Sequence, residues 1–269
     1  MSEVRTAHLI NAWMSAAKAN EGLFRLPDCL LEIAGLGYHG AFADSASLND
    51  FRESDVRRLC EASRLEMATL VIPVTANAWR PNELQYKAGL DLAHALDIKT
   101  VCVCGGFMAS NRRNAFDADY REFGENLERA RSYAEPYGIR LAFHPHIGCL
   151  VETLAEFERL LPHCPDLGLH IDVGHLLAVN EDPLAGIERY NERILQIALK
   201  EWNVEKRCFE GLGSGHQGVD LPRLAHLIPQ LPNFDGWIYV EHDGCAEPAV
   251  DSAKRSLEAL AGPFSLAAK

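Results

Sequence analysis

The chain has 269 residues, 48% of them hydrophobic and 24% charged, which is enough for one sizeable core. A formal net charge of -12 argues against nucleic acid as a partner, because an acidic surface repels phosphate. No run approaches the ~20 apolar residues of a membrane span, and the first residues lack the apolar stretch of a secretory signal.

The expected location is therefore the cytoplasm, with no membrane partner. Eight cysteines, at 29, 60, 102, 104, 149, 164, 208 and 245, are scattered through apolar surroundings. They read as buried, reduced thiols and not as a zinc or redox site.

Short apolar runs alternate with longer amphipathic segments. Strand Thr6–Ala12 precedes a helix around Asp28–Ala34, and Tyr38–Phe42 precedes helix Asn49–Ser63, with Asn49 or Asp50 as its cap. Leu65–Pro73 pairs with helix Asn82–Leu96, and Lys99–Gly105 with helix Asp117–Tyr137. In the last of these Tyr120, Phe123, Leu127, Ala130 and Ala134 recur at three- and four-residue steps before Gly138. Strands Ile139–His144, Leu167–Asp172, Arg193–Lys200 and Trp237–Glu241 follow, with helices Leu154–Leu161, Pro183–Tyr190, Leu221–Ile228 and Pro248–Leu260. About eight βα units in series, without a linker, predict an α/β fold in which residues 1–269 form a single (β/α)8 TIM barrel. An open doubly wound sheet ranks second, since no strand ends in a Gly-x-Gly-x-x-Gly turn.

Alternation within strands identifies the inward residues. Ile139, Leu141 and Phe143 share one face, leaving His144 on the other. Leu167, Leu169 and Ile171 leave His170 and Asp172, while Leu195, Ile197 and Leu199 leave Gln196, Ala198 and Lys200. In the last strand Tyr239 and Glu241 face in. Four consecutive strands thus end in inward ionisable residues, His144, Asp172, Lys200 and Glu241, at the end where barrel enzymes build active sites. Burying such groups together is costly unless they pair or bind something. Asp172-Val173-Gly174-His175 reads as a strand end, a glycine turn and a returning imidazole. His144-Pro145-His146 holds two more imidazoles on an extended turn. Imidazole and carboxylate together suit Mn2+, Co2+ or Zn2+.

At these residues the chain resembles the xylose-isomerase-like barrel superfamily of sugar isomerases, keto-sugar epimerases and inosose dehydratases. The carrying segments are Leu-Ala-Phe-His-Pro-His-Ile-Gly (141–148) with Val-Glu-Thr (151–153), Leu-His-Ile-Asp-Val-Gly-His (169–175), Arg-Ile-Leu-Gln-Ile-Ala-Leu-Lys-Glu (193–201) and Gly-Trp-Ile-Tyr-Val-Glu (236–241). The His-Pro-His form with Glu-Thr soon after is most similar to the inosose dehydratase branch. The resemblance implies a divalent metal at strand ends, with Asp172, Glu241 and His144 as its ligands and His146 or His175 as alternatives for the third. It also implies removal of a proton beside a carbonyl, giving an enediolate that is reprotonated or expels a hydroxyl. Three positions depart from the superfamily pattern. His144 stands where isomerases place glutamate, Ala198 where a histidine ligand is usual, and Phe42 where relatives often have glutamate.

The leading expectation is a lyase or isomerase acting on a small-molecule polyol-derived ketone or sugar. In it His144 or Glu241 moves the proton, Lys200 or the metal stabilises the oxygen, and His175 donates to the leaving hydroxyl. Substrate contacts are expected from His146, Glu152, Trp13, Trp202 and the loop residue His216. Two alternatives are a metal-independent enzyme using His144 and Lys200, and a degenerate barrel serving as a binding subunit. A homo-oligomer is compatible with either.

Overall fold

A computed structural model describes residues 4–19, 22–76, 79–106, 115–243 and 247–264. Eight parallel strands close into a barrel: β1 (Arg5–Leu9), β2 (Gly40–Asp44), β3 (Glu66–Val74), β4 (Thr100–Gly105), β5 (Arg140–His144), β6 (Gly168–Asp172), β7 (Ile194–Leu199) and β10 (Trp237–Val240). β10 pairs with both β7 and β1, so no edge remains. The expected (β/α)8 barrel is what the chain forms.

Around it pack α1 (Asn11–Ala19), α2 (Leu26–Leu36), α3 (Glu53–Ser63), α4 (Trp79–Ala95), α5 (Asp117–Ala134), α6 (Leu154–Leu160), α7 (Val173–Ala178), α8 (Pro183–Arg189), α9 (Leu221–Leu227) and α10 (Ala249–Ala261). A short antiparallel hairpin, β8 (Glu201–Asn203) and β9 (Cys208–Glu210), follows β7. The larger core lies between strands and helices. A separate interior layer of Ala7, Leu9, Phe42, Ala198, Trp237 and Tyr239 fills the barrel.

Several boundaries differ from the sequence reading. The first strand stops at Leu9, because Trp13 and Met14 N–H groups return to the Ile10 carbonyl and open α1. Neither Asn49 nor Asp50 caps a helix. Ser45–Leu48 forms a 3-10 turn instead, and α3 starts after Arg52 with no side-chain cap. α5 gives way at Glu135 to a 3-10 turn containing Pro136, and Gly138 stops it at φ 66°. The Asp172–His175 segment is no glycine turn. It is the first turn of α7, with the Asp172 carboxylate accepting the His175 N–H at 3.1 Å as N-cap.

Candidate functional site

The ends of β5, β6, β7 and β10 carry the predicted residues to one mouth of the barrel. His144 and Asp172 are the last residues of their strands, and Lys200 and Glu241 each lie one step beyond theirs. All four are buried, Lys200 completely. Its ammonium lies 2.9 Å from Asp172 Oδ2, 2.8 Å from Glu241 Oε2 and 2.7 Å from Asp243 Oδ2. The last two contacts are hydrogen bonds, whereas the Asp172 contact is an ion pair outside hydrogen-bond alignment. Three anions around one cation explain how a lysine sits here without water.

Local structure makes room for it. A Cβ on Gly174 would lie 2.4 Å from Lys200 Cγ, so the first turn of α7 must be bare where the lysine stem passes. Phe209 of β9 lies over the ammonium, 4.5 Å from ring centre to Nζ, and also contacts the His175 ring. The β8–β9 hairpin is therefore a roof over the charge cluster.

Beneath it a hydrogen-bonded chain fixes His170. Tyr239 donates to Asp235 at 2.7 Å, Gln196 Nε2 donates to the Tyr239 hydroxyl at 3.0 Å, and Gln196 Oε1 stands 3.0 Å from His170 Nδ1. An amide oxygen only accepts, so Nδ1 carries the proton and the Nε2 lone pair points up the barrel without a partner. His144 and Asp172 offer donor atoms within 4.8 Å of it. His175 is set the other way. Its Nδ1 accepts the Ile147 N–H at 3.3 Å, leaving a proton on Nε2, 4.0 Å from Asp172 Oδ2.

The protonation states follow. Burial, aided by neighbouring imidazoles and Lys200, drives His144 and His175 well below the usual histidine range, and burial lowers His170. All three are neutral near pH 7. Burial opposes the Lys200 charge, but Asp172, Asp243 and Glu241 keep its pKa well above the ordinary lysine value. Burial likewise works against ionised Asp243, yet Lys200 holds that carboxyl below its usual range. For Glu241 burial wins over Lys200, with help from Asp172 and Asp243, and its carboxyl is pushed up to about 7.

A cavity of about 540 Å³ opens over this cluster. His144, His146, Glu241 and Asp243 line it, together with Asn11 and Asp44, which hydrogen-bond each other at 2.6 Å. Of the expected substrate contacts only His146 lines it. Trp13 is buried against His8 and donates its indole N–H to Glu32, and Trp202 packs on Phe209 within the core. His216 sits beside Glu210 at 3.1 Å, in a loop whose backbone Glu201 holds, and Glu152 accepts the Gly148 N–H. His175 lies under the cavity floor and not on its lining.

The sequence reading passed over Asp44, Asp243 and the donor capacity of His170. Asp44 shares the inward parity of Phe42, two residues earlier, and Asp243 that of Glu241. Extending alternation one step past each strand would have found both.

A divalent metal fits part of this site, by a donor set other than the expected one. Asp172 and His144 offer donor atoms close to each other, with a His170 nitrogen that has no hydrogen-bond partner beside them, while Asp172 Oδ2 is ion-paired with Lys200. Glu241 instead points at Lys200, and Ala198 contributes only a methyl group to the interior layer. His170 is the further residue that offers a donor atom within 4.8 Å of those of His144 and Asp172.

Relatives share this framework. An inosose dehydratase of Lacticaseibacillus casei is 27% identical over 213 residues, covering 70% of each chain. The structure of a D-tagatose 3-epimerase-like protein superposes with TM-score 0.77 at 16% identity, covering 97% of both chains. That of the IOLI protein, with a bound zinc atom, gives 0.73 at 13%, covering 97% of this chain and 98% of the other. A family model described as xylose isomerase-like TIM barrel matches residues 30–262, and the chain belongs to that family.

Proposed function

We propose that the chain is a carbon–oxygen lyase of the inosose dehydratase kind, acting on a keto-polyol or keto-sugar. The observation that carries this is Glu241, a buried carboxyl on the cavity wall whose pKa is pushed up to about 7. Such a group takes and returns a proton at neutral pH without a large energy cost in either direction. The surrounding Asn11, Asp44, His144 and His146 offer the polar contacts a hydroxyl-rich ring needs.

In the proposed reaction the Glu241 carboxylate removes the proton beside the substrate ketone. The C–H electron pair becomes an enediolate, whose collapse breaks the neighbouring C–O bond. The departing hydroxide takes the proton back from Glu241 and leaves as water. Delivering that proton to the neighbouring enediolate carbon instead would give isomerisation, so one residue serves both elimination and isomerisation. Lys200 stays charged throughout and limits how far burial raises the Glu241 carboxyl. With its ammonium directed at three carboxylates, it is poorly placed to bind the ketone oxygen itself. The His175 backbone N–H holds the Asp172 carboxylate at 3.1 Å, and its ring Nε2 lies 4.0 Å from the other oxygen.

His144, His170 and Asp172 are the residues that would hold a divalent ion, and Zn2+, Co2+ or Mn2+ suits imidazole and carboxylate donors. Such an ion supplies positive charge for polarising a ketone oxygen.

The test is exchange of the substrate's α-proton in D2O, followed by NMR for a panel of inososes and keto-sugars with Mn2+, Co2+ or Zn2+ supplied. Wild type is expected to exchange and dehydrate at least one of them. Glu241→Gln should lose about a hundredfold or more in exchange rate while keeping its melting temperature within a few degrees. Exchange with none of the panel, or an unaffected Glu241→Gln variant, defeats the proposal. The first result would favour the binding-subunit alternative, and the second would assign the proton transfer to another residue.

A further inference from the structure

The ends of β4 and β5 and the loops after them bring together three donors, of which the two thiols have no part in the proposed reaction. The Sγ atoms of Cys104 and Cys149 and a ring nitrogen of His146 all lie within 4.8 Å of one another. The backbone explains the meeting. Cys104, one residue before the end of β4, stands opposite His144 in register, and the Leu150 N–H bonds the Gly106 carbonyl at 2.9 Å, docking one loop on the other. The Cys149 N–H then returns to the His146 carbonyl at 3.1 Å, closing a turn whose third residue, Gly148, has φ 84°. Imidazole and thiol thus stand at the two ends of one turn, facing the strand-end thiol.

We infer that Cys104, His146 and Cys149 form a binding site for a soft divalent cation, of which Zn2+ is the type. His146 Nδ1 lies 2.7 Å from the Ile147 carbonyl, which only accepts. That bond places the proton on Nδ1 and leaves Nε2 with a lone pair, the arrangement in which metal-binding histidines are commonly held. Two sulfurs and one nitrogen select zinc over calcium or magnesium. A tetrahedral zinc has donors about 3.3–3.8 Å apart, so the three atoms need close in by only about 1 Å. Cys104 and His146 line the 540 Å³ cavity, which gives the fourth position to water or a substrate oxygen. The site shares no residue with the His144, His170 and Asp172 group, although His146 also has a donor atom within 4.8 Å of those of His144 and His175. The proposal departs from the expectation that the cysteines form no zinc site. Cys104 and Cys149 are 45 residues apart, and only the docking of one loop on the other joins them.

Cobalt tests the inference directly. Reduced, metal-free protein titrated with Co2+ should develop a thiolate-to-cobalt charge-transfer band in the near ultraviolet, which added Zn2+ abolishes. Cys104→Ser and Cys149→Ser should each lack the band, whereas Asp172→Asn should keep it. Since Cys149 is fully buried and its substitution risks the fold, alkylation of wild type provides a second reading. Zn2+ should slow iodoacetamide labelling of Cys104 about tenfold, measured by peptide mass spectrometry. No near-ultraviolet band in wild type, a band surviving in both serine variants, loss of the band in Asp172→Asn alone, or labelling indifferent to Zn2+ would each overturn the assignment.

Discussion

At the scale of single residues, Lys200 and Glu241 have to be considered as one unit. The lysine is stable in a dry site only because Asp172, Glu241 and Asp243 surround it, and those carboxylates tolerate burial only because of the lysine. Lys200→Met keeps the volume and removes the charge, stranding three acids. It is expected to cost about 3–5 kcal/mol in urea unfolding at pH 8. The loss should shrink toward pH 5, because protonated carboxyls no longer repel one another. An equal loss at both pH values would show that packing, and not charge, is what the lysine supplies. Parity exposed the strand-end members of this unit in the sequence. It could not reveal that the ammonium sits among the carboxylates, since that depends on how the β7 and β10 ends approach each other.

At the scale of elements, α7 and the β8–β9 hairpin matter most, and both were missed in the sequence. Each is short, and neither shows an apolar repeat long enough to register against the neighbouring strands. The eight barrel strands were legible because inward and outward residues alternate over four to nine positions. Gly174 gives α7 its test. Alanine in a helix interior is favoured over glycine by about 0.5–1 kcal/mol, but its methyl would overlap the Lys200 stem, and overpacking typically costs 1–3 kcal/mol. Gly174→Ala should therefore lower the melting temperature and, by displacing Lys200, move the pH at which Glu241 titrates, visible as a shifted pH–rate profile. A melting temperature above that of wild type would mean that helix propensity outweighs the contact.

At the scale of the whole molecule, the buried titratable groups set the response to acid. His8 is lowered to about 3 by burial, and His144, His170, His175 and His242 are lowered as well. Each takes up a proton in the unfolded chain, near pH 6.5, before it does so in the folded one. Each therefore supports the fold above 6.5 and withdraws that support as the pH falls, at up to ~1.4 kcal/mol per unit. Glu241, Asp235 and Asp44, raised by burial, act in the opposite sense: they bind protons first in the folded state and favour it as the pH falls through 7 to 5. Five histidines oppose three carboxyls and His146, whose pKa is raised, so the melting temperature is expected to drop between pH 7 and pH 5. A flat or rising profile in calorimetry would contradict this balance. Such buried histidines were visible in the sequence only as residues of the right parity, as His170 was, or not at all, as with His8 and His242.

The chain of Asp235, Tyr239, Gln196 and His170 runs from the floor of the barrel to the site and crosses β6, β7 and β10. Those three strands are consequently a single heritable block. A half-barrel graft from a relative that cuts between β7 and β10 would sever the chain and release the His170 tautomer, even with every mouth residue retained. A junction placed between β5 and β6 would carry the chain across whole. In recombination or design, the lower half of this barrel's interior therefore limits which pieces can be exchanged as strictly as the mouth does.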